Sequence, residues 1–209
     1  MKEPIYIVVE GIDGSSKTTI INHIVDLFNK ANKPIISTKG VGGSTIGLAV
    51  RERLLSNQKV DSTLEVLGML TANIETVVDI VEPNLAKGIT VISDRSIASL
   101  LAYQDWGREI DVTAPLIHIL TGTTVFTKLN PDLYIYCDVD IDVAEQRTKG
   151  RGDENHYDIE TRAFKERVKK GYKHVFNSGF CDNSIRLNTN VPLEEVLANV
   201  TELMQEYLK

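Results

Sequence analysis

The first apolar run, Ile5-Tyr6-Ile7-Val8-Val9, is short and unbroken and leads into Glu10-Gly11. A run of that kind bounded by a glycine turn predicts a strand buried on both faces. From Ile20 the rhythm changes. Ile20, Ile21, Ile24, Val25, Leu27 and Phe28 fall on one face of a helix. The same alternation repeats. Further strands are predicted at 35–38, 89–93, 133–137 and 184–187. Helices are predicted at 46–55, at 62–86, through Tyr103, at 115–121, at 143–147 and at 192–208. Another, long and amphipathic, carries Phe164, Val168, Tyr172, Val175 and Phe176. Ser62-Thr63-Leu64-Glu65 reads as a capping box opening the 62–86 helix, with a kink at Pro83 and a stop at Gly88. Strands alternating with helices predict an α/β fold with a parallel five-stranded sheet covered on both faces. No repeat, low-complexity tract or linker divides 1–209, so a single domain is expected, with 148–157 as a polar, mobile loop.

The chemistry gathers first between the opening strand and helix. Glu10-Gly11-Ile12-Asp13-Gly14-Ser15-Ser16-Lys17-Thr18-Thr19 has the strand–turn–helix context of a phosphate-binding P-loop and predicts a P-loop NTPase fold. Amide groups of the turn and of the helix N-terminus collect phosphate oxygens there. Gly11, Gly14, Ser15, Ser16, Lys17, Thr18 and Thr19 are the expected ATP-binding set. Lys17 supplies a positive charge to the β- and γ-phosphates, and the Thr18 hydroxyl can ligate Mg²⁺. Ser16 stands where the pattern has glycine. If that position requires positive φ, the serine costs about 1–2 kcal/mol.

Composition narrows the partners. The chain has 209 residues, 42% of them hydrophobic and 25% charged, and a net charge of −6. An acidic chain argues against a large nucleic-acid footprint, so phosphates must be met by local clusters of cations. Cys137 and Cys181 form no disulfide framework, and the four histidines lack metal-ligand spacing. Cys137 is expected as a small buried hydrophobe. Met1-Lys2-Glu3-Pro4 leads straight into the first strand and no run is long enough to span a membrane. A cytoplasmic location and no membrane partner are expected.

In an open α/β sheet, ligands bind beyond the carboxyl ends of the strands. The polar residues after each strand are Asp13, Lys39, Asp94-Arg95, and Asp138 with Asp140. Asp94 is placed like a carboxylate that holds Mg²⁺ through water. Arg95 offers a planar fork for a second phosphate. Arg147, Lys149 and Arg151 flank the polar loop, where arginines can neutralise charge during phosphoryl transfer. Lys169-Lys170 reads as a solvated face.

With these pieces assembled, the chain resembles the thymidylate kinases from its first strand to its last helix. The resemblance rests on E-G-x-D-G-x-x-K-T-T at Glu10 to Thr19 and on G-G-[ST]-x-x-G at Gly42 to Gly47, followed by Arg51. It rests also on D-R-x-x-x-S-x-x-A-Y-Q at Asp94 to Gln104 and on Pro131-Asp132-Leu133. It implies ATP- and Mg²⁺-dependent phosphorylation of a deoxynucleoside 5′-monophosphate, dTMP first, by a homodimer joined through its middle helices. It implies that Asp13, Lys17, Arg95, Arg147 and Arg151 serve the chemistry. Asp13, Lys39, Arg51, Arg95 and Ser99 would meet the acceptor, with Tyr103 under the deoxyribose and Gln104 and Tyr157 near base or sugar. Thr18 and Asp94 would hold the metal. Met69, Asn73 and Leu100 depart from the family's usual base-facing set of an aromatic, an arginine and a small polar residue. Gly40-Val41 replaces an acidic residue, and His156 and Asp158 stand where an arginine and a glutamate are common. A kinase for another deoxynucleotide, such as a 5-substituted dUMP, is the alternative these departures raise. A nucleotide-binding switch or ATPase, and a fold that only binds, are the other readings.

Overall fold

A computed structural model describes residues 3–56, 60–111, 115, 129–149 and 161–209. The strands are β1 (Tyr6–Glu10), β2 (Ile35–Lys39), β3 (Thr90–Asp94), β4 (Leu133–Asp138) and β5 (Ser184–Asn188). They form one parallel sheet in the order β2-β3-β1-β4-β5. The helices among the described residues include α1 (Lys17–Lys30), α2 (Thr45–Leu55), α3 (Ser62–Thr76), α4 (Glu82–Leu85) and α5 (Ile97–Leu100). After β4 come α6 (Ile141–Thr148), α7 (Arg162–Asn177) and α8 (Leu193–Met204).

Successive strand residues point to opposite faces, and both faces are covered. Ile7, Val9, Ile92, Ile135 and Cys137 pack with Ile20, Ile24 and Phe28 of α1 and Val196, Val200 and Met204 of α8. Tyr6, Val8, Val91 and Tyr134 pack with Val66, Leu70, Val77, Val81, Ile97 and Leu100. This explains why β1 reads as a continuous apolar run rather than an alternating one. Because β1 lies beside β3 with Val9 opposite Asp94, the turns that follow these two strands leave the sheet side by side.

Three local expectations need correction. The 62–86 helix is capped by Asp61, whose Oδ1 accepts from Thr63 N at 2.9 Å, rather than by a Ser62–Glu65 box. Glu65 is instead turned inward and buried, where its carboxylate accepts from Gln104 Nε2 at 2.8 Å. At Pro83 the chain does not simply kink. It widens into a π-helical turn at Val77–Val81 and then resumes as α4 with Pro83 in its first turn. Proline has no N–H to give and its ring crowds the carbonyl four residues back, so the wider bonding relieves the conflict. The Ile80 carbonyl accepts from Asn84 Nδ2 at 2.6 Å. Third, Lys169 is not solvated; its ammonium lies 2.8 Å from Asp140 and 3.7 Å from Asp138.

A second π-helical stretch, Leu101–Gly107, follows α5 and carries Tyr103 and Gln104. It packs tightly on α7. A Cβ on Gly171 would meet Trp106 Cβ at 2.7 Å and Ala102 Cα at 3.0 Å, so only glycine permits this approach. The helix expected at 115–121 lies outside the described residues apart from residue 115, as does the 148–157 loop beyond Lys149.

Candidate active site

The turn after β1 bends back over the sheet through residues with positive φ: Gly11 at 145°, Gly14 at 81° and Ser16 at 68°. Ser16 N-caps α1 in the left-handed region but makes no side-chain cap hydrogen bond, and no acid occupies the first turn. The opening amides of α1 therefore meet no capping side chain, which is the arrangement that receives an anion. Lys17 is buried, donates to the Ile12 carbonyl at 2.9 Å and lies 3.8 Å from Asp13 Oδ1. Burial, and then the charge of Arg95, hold its pKa below the usual lysine value. Thr18 and Thr19 are exposed at the mouth, while Ser15 is buried and its hydroxyl has no hydrogen-bond partner among the described residues.

Beside this turn, β3 ends in Asp94-Arg95. Arg95 has φ 70°, an uncommon conformation for a residue with a side chain. Its backbone is held by Val9 O, which accepts from Arg95 N at 3.0 Å, and by Ser93 Oγ donating to Arg95 O at 2.8 Å. Nη2 donates to Asp13 Oδ1 at 2.6 Å and Tyr103 OH at 3.2 Å. Nη1 donates to Gly11 O and Tyr172 OH, both at 2.8 Å. The guanidinium sits 5.0 Å over the Tyr103 ring. Burial opposes its charge, but Tyr103, Tyr172, Asp13 and Asp94 push the pKa well above the usual value. Burial also raises the Asp13 carboxyl, yet Arg95 and Lys17 together leave it below the ordinary carboxylate range.

A cavity of about 250 Å³ opens between the two turns. Its lining brings together Asp13, Gly14, Ser16, Lys17, Thr18, Thr19, Lys39, Arg51, Met69, Asp94, Arg95, Ser99 and Tyr103. Sequence reasoning missed Val41, Leu54, Leu55 and Ser96, which also line it. Lys39 ends β2 and Arg51 lies on α2, and α3 holds the segment that joins these two elements. Thr76 of α3 donates to Gly40 O at 3.2 Å there, and Glu75 Oε2 accepts from Ile46 N at 2.8 Å and Gly47 N at 3.1 Å. Gly11 and Ser15 lie behind the lining, within the turn itself.

Other expected residues are not brought to the cavity. Leu100 is fully buried in the core. Asn73 is buried and donates to Met69 O of its own helix at 2.7 Å. Gln104 is fully buried against Glu65 and the Met69 sulfur. Asp138 takes the Arg186 guanidinium and Asp140 takes Lys169, so the fourth strand end closes on itself. Arg147 on α6 reaches back to the P-loop, with Nη1 3.4 Å from Gly14 O and from Ser16 Oγ. Arg151, His156, Tyr157 and Asp158 lie outside the described residues. Cys137, buried beneath the turn, has its thiol pushed up to about 12 by burial.

The donors present suit Mg²⁺. Asp94 Oδ1 is buried without a hydrogen-bond partner among the described residues, and Thr18 offers an exposed hydroxyl across the same cavity. A hard cation that keeps several waters needs only such a sparse set of oxygen ligands. No group of three or more His, Cys, Asp or Glu able to hold a metal occurs among the described residues.

Comparison with known proteins agrees with this geometry. The family model for thymidylate kinase matches residues 9–200. A protein named thymidylate kinase from Carboxydothermus hydrogenoformans is 38% identical over 168 residues, 80% of this chain and 81% of its own. One of the same name from Staphylococcus epidermidis is 31% identical over 208 residues, 98% of each chain. Another, from Legionella pneumophila, is 29% identical over 206 residues, 97% and 95% of the two chains. Matched along most of its length, the turn after β1 included, the chain belongs to the thymidylate kinase family.

Proposed function

We propose that this chain transfers the γ-phosphoryl group of ATP to a deoxynucleoside 5′-monophosphate, dTMP first, giving ADP and dTDP. The observation that carries the reading is the meeting of two cationic corners on one cavity. Lys17 lies 3.8 Å from Asp13, and Arg95 lies 2.6 Å from the same carboxylate oxygen. One corner suits the donor phosphates and the other an acceptor phosphate. An acceptor oxygen attacks the γ-phosphorus in line, and the bond to the bridging oxygen of ADP breaks. No covalent enzyme intermediate is needed, so alignment and charge neutralisation are the protein's task.

Within that task, the α1 amides and Lys17 hold the donor, and Arg95 with Arg51 and Lys39 holds the acceptor. Tyr103 supports the sugar. Arg147 reaches over the donor loop, and Arg151, in the expected 148–157 loop, would add a second positive charge to the donor side. Thr18 and Asp94 would hold Mg²⁺, which when bound neutralises phosphate charge. The name of the relatives and the resemblance support dTMP as acceptor. Val41, Leu54, Leu55 and Met69 give the cavity lining an apolar component that suits a pyrimidine carrying a 5-methyl group. The same resemblance supports a homodimer, and Leu48, Leu64, Leu67 and Val78 give the middle helices an exposed apolar surface for it. No helix among the described residues is long and apolar enough to cross a membrane, which accords with a cytoplasmic location.

A coupled assay of ADP release across acceptors tests this. Turnover of dTMP well above dCMP, dGMP and a 5-substituted dUMP is expected, and Arg95→Ala should lower kcat/KM by about 10³. Equal turnover of all acceptors would refute the dTMP assignment. ADP release without any acceptor would favour an ATPase.

A further inference from the structure

We infer that Tyr172 and Glu10 are positioning residues that aim the Arg95 guanidinium at the acceptor phosphate. The inference rests on the kinase reading above. Both side chains are fully buried, and neither lines the cavity. They come from distant parts of the chain, β1 and α7, and converge behind Arg95. Tyr172 OH accepts from Arg95 Nη1 at 2.8 Å and donates to Glu10 Oε2 at 3.1 Å. Ser99 Oγ sits between them, 2.7 Å from Tyr172 OH and 2.6 Å from Glu10 Oε2. The other oxygen of Glu10 is pinned by Ser96 N at 2.7 Å and Ser96 Oγ at 2.9 Å.

The direction of these bonds follows from the donor inventory. An arginine only donates. Tyr172 OH must therefore turn a lone pair to Arg95 and send its own hydrogen away from it, towards Glu10 Oε2 or Ser99 Oγ. The Arg95 end of the arrangement thus has one sense. It gives the guanidinium two unlike ends. Nη1 is fixed on Gly11 O and Tyr172 OH, behind the site. Nη2 bonds Asp13, whose side chain is 43% exposed on the cavity side, and can exchange that partner for a phosphate oxygen. A planar group anchored at one end presents the other in a set orientation.

The test is Tyr172→Phe in the full chain, assayed with ATP·Mg and dTMP. The ring keeps its stacking on Tyr136, at 5.5 Å between centroids, so the fold should persist. Loss of a hydrogen bond to a charged group should cost about ten-fold in kcat/KM for dTMP, with KM for ATP unmoved. In an Arg95→Ala background, the same substitution should change kcat/KM by less than about two-fold. Glu10→Gln should give the same split between the two substrates. A ten-fold loss that persists without Arg95 would overturn the inference, as would wild-type kinetics for Tyr172→Phe beside a severe Arg95→Ala. A fully active Arg95→Ala would instead remove the kinase reading on which it stands.

Discussion

Ser16 holds its backbone at φ 68° and ψ 15°, where a Cβ crowds its neighbours. The strain amounts to about 1–2 kcal/mol, partly offset in a glycine variant by the greater freedom of its unfolded chain. Ser16→Gly should therefore raise Tm by about 2 °C, while Ser16→Ala should not. Thermal melts of the two variants check this; a glycine variant no more stable than the alanine one would show the turn to be unstrained. The need for positive φ here was legible from the motif, because its usual residue is glycine. Lys17, Asp94 and Arg95 were legible for another reason: each follows an apolar run, and a parallel sheet sends those ends to one side. Tyr172 was not, because its helical spacing with Val168 and Val175 announces a core position, which it also occupies. Glu10 was hidden inside a phosphate-loop motif, although a carboxylate closing an apolar strand is itself a demand for buried partners. Asn73, Leu100 and Gln104 were expected near the base, but their burial within the protein follows from packing around a π-helical stretch that no periodicity marks.

Helices α2 and α3 show how one element sets another. The N-terminus of α2 meets the Glu75 carboxylate of α3, which accepts from Ile46 N and Gly47 N. Ser44 and these two amides hold its pKa below the ordinary value, outweighing the effect of burial. A carboxyl depressed on folding stabilises the fold above its unfolded pKa, and that contribution fades as pH falls through the lower folded value. Glu75→Gln removes the charge at every pH. The variant should thus melt below the wild type at about pH 7, and the gap should close towards about pH 3. Melts of both proteins over that range read the difference directly, and a gap independent of pH would rule out the ionised cap. Because α2 carries Arg51, the variant should also raise KM for dTMP more than for ATP. Strands and helices were readable as types because apolar runs and helical spacing differ along the whole chain. Their ends were less so. Asp61 took the cap from Ser62 because Glu65 was needed inside, opposite Gln104, and that partner lies far along the chain.

At the scale of the molecule, the exposed apolar surface is unevenly distributed. Leu48 on α2 is 58% exposed, and Leu64 and Leu67, three apart on α3, are 65% and 43% exposed. Val78 extends the apolar surface into the π-helical turn. Scattered apolar residues need no explanation, but several on adjoining helices favour association. Each copy carries a net charge of −6, so two copies repel at long range. That repulsion is screened within about 10 Å at 0.1 M salt, whereas apolar burial is not weakened by it. If the homodimer forms through this face, its dissociation constant should fall as salt rises from low ionic strength. A charge placed in the face should have the opposite effect, because burying an unpaired carboxylate is costly. Leu64→Glu with Leu67→Glu should therefore give monomers in light scattering at concentrations where the parent is dimeric, with unchanged far-UV circular dichroism because both positions are exposed in the single chain. A dimer that survives both substitutions would place the contact elsewhere on the surface. The turn from Gly14 to Thr19 leads into α1 and not into α3, so the monomeric variant should still bind ATP·Mg while α3, which carries Met69 and Glu75, loses support.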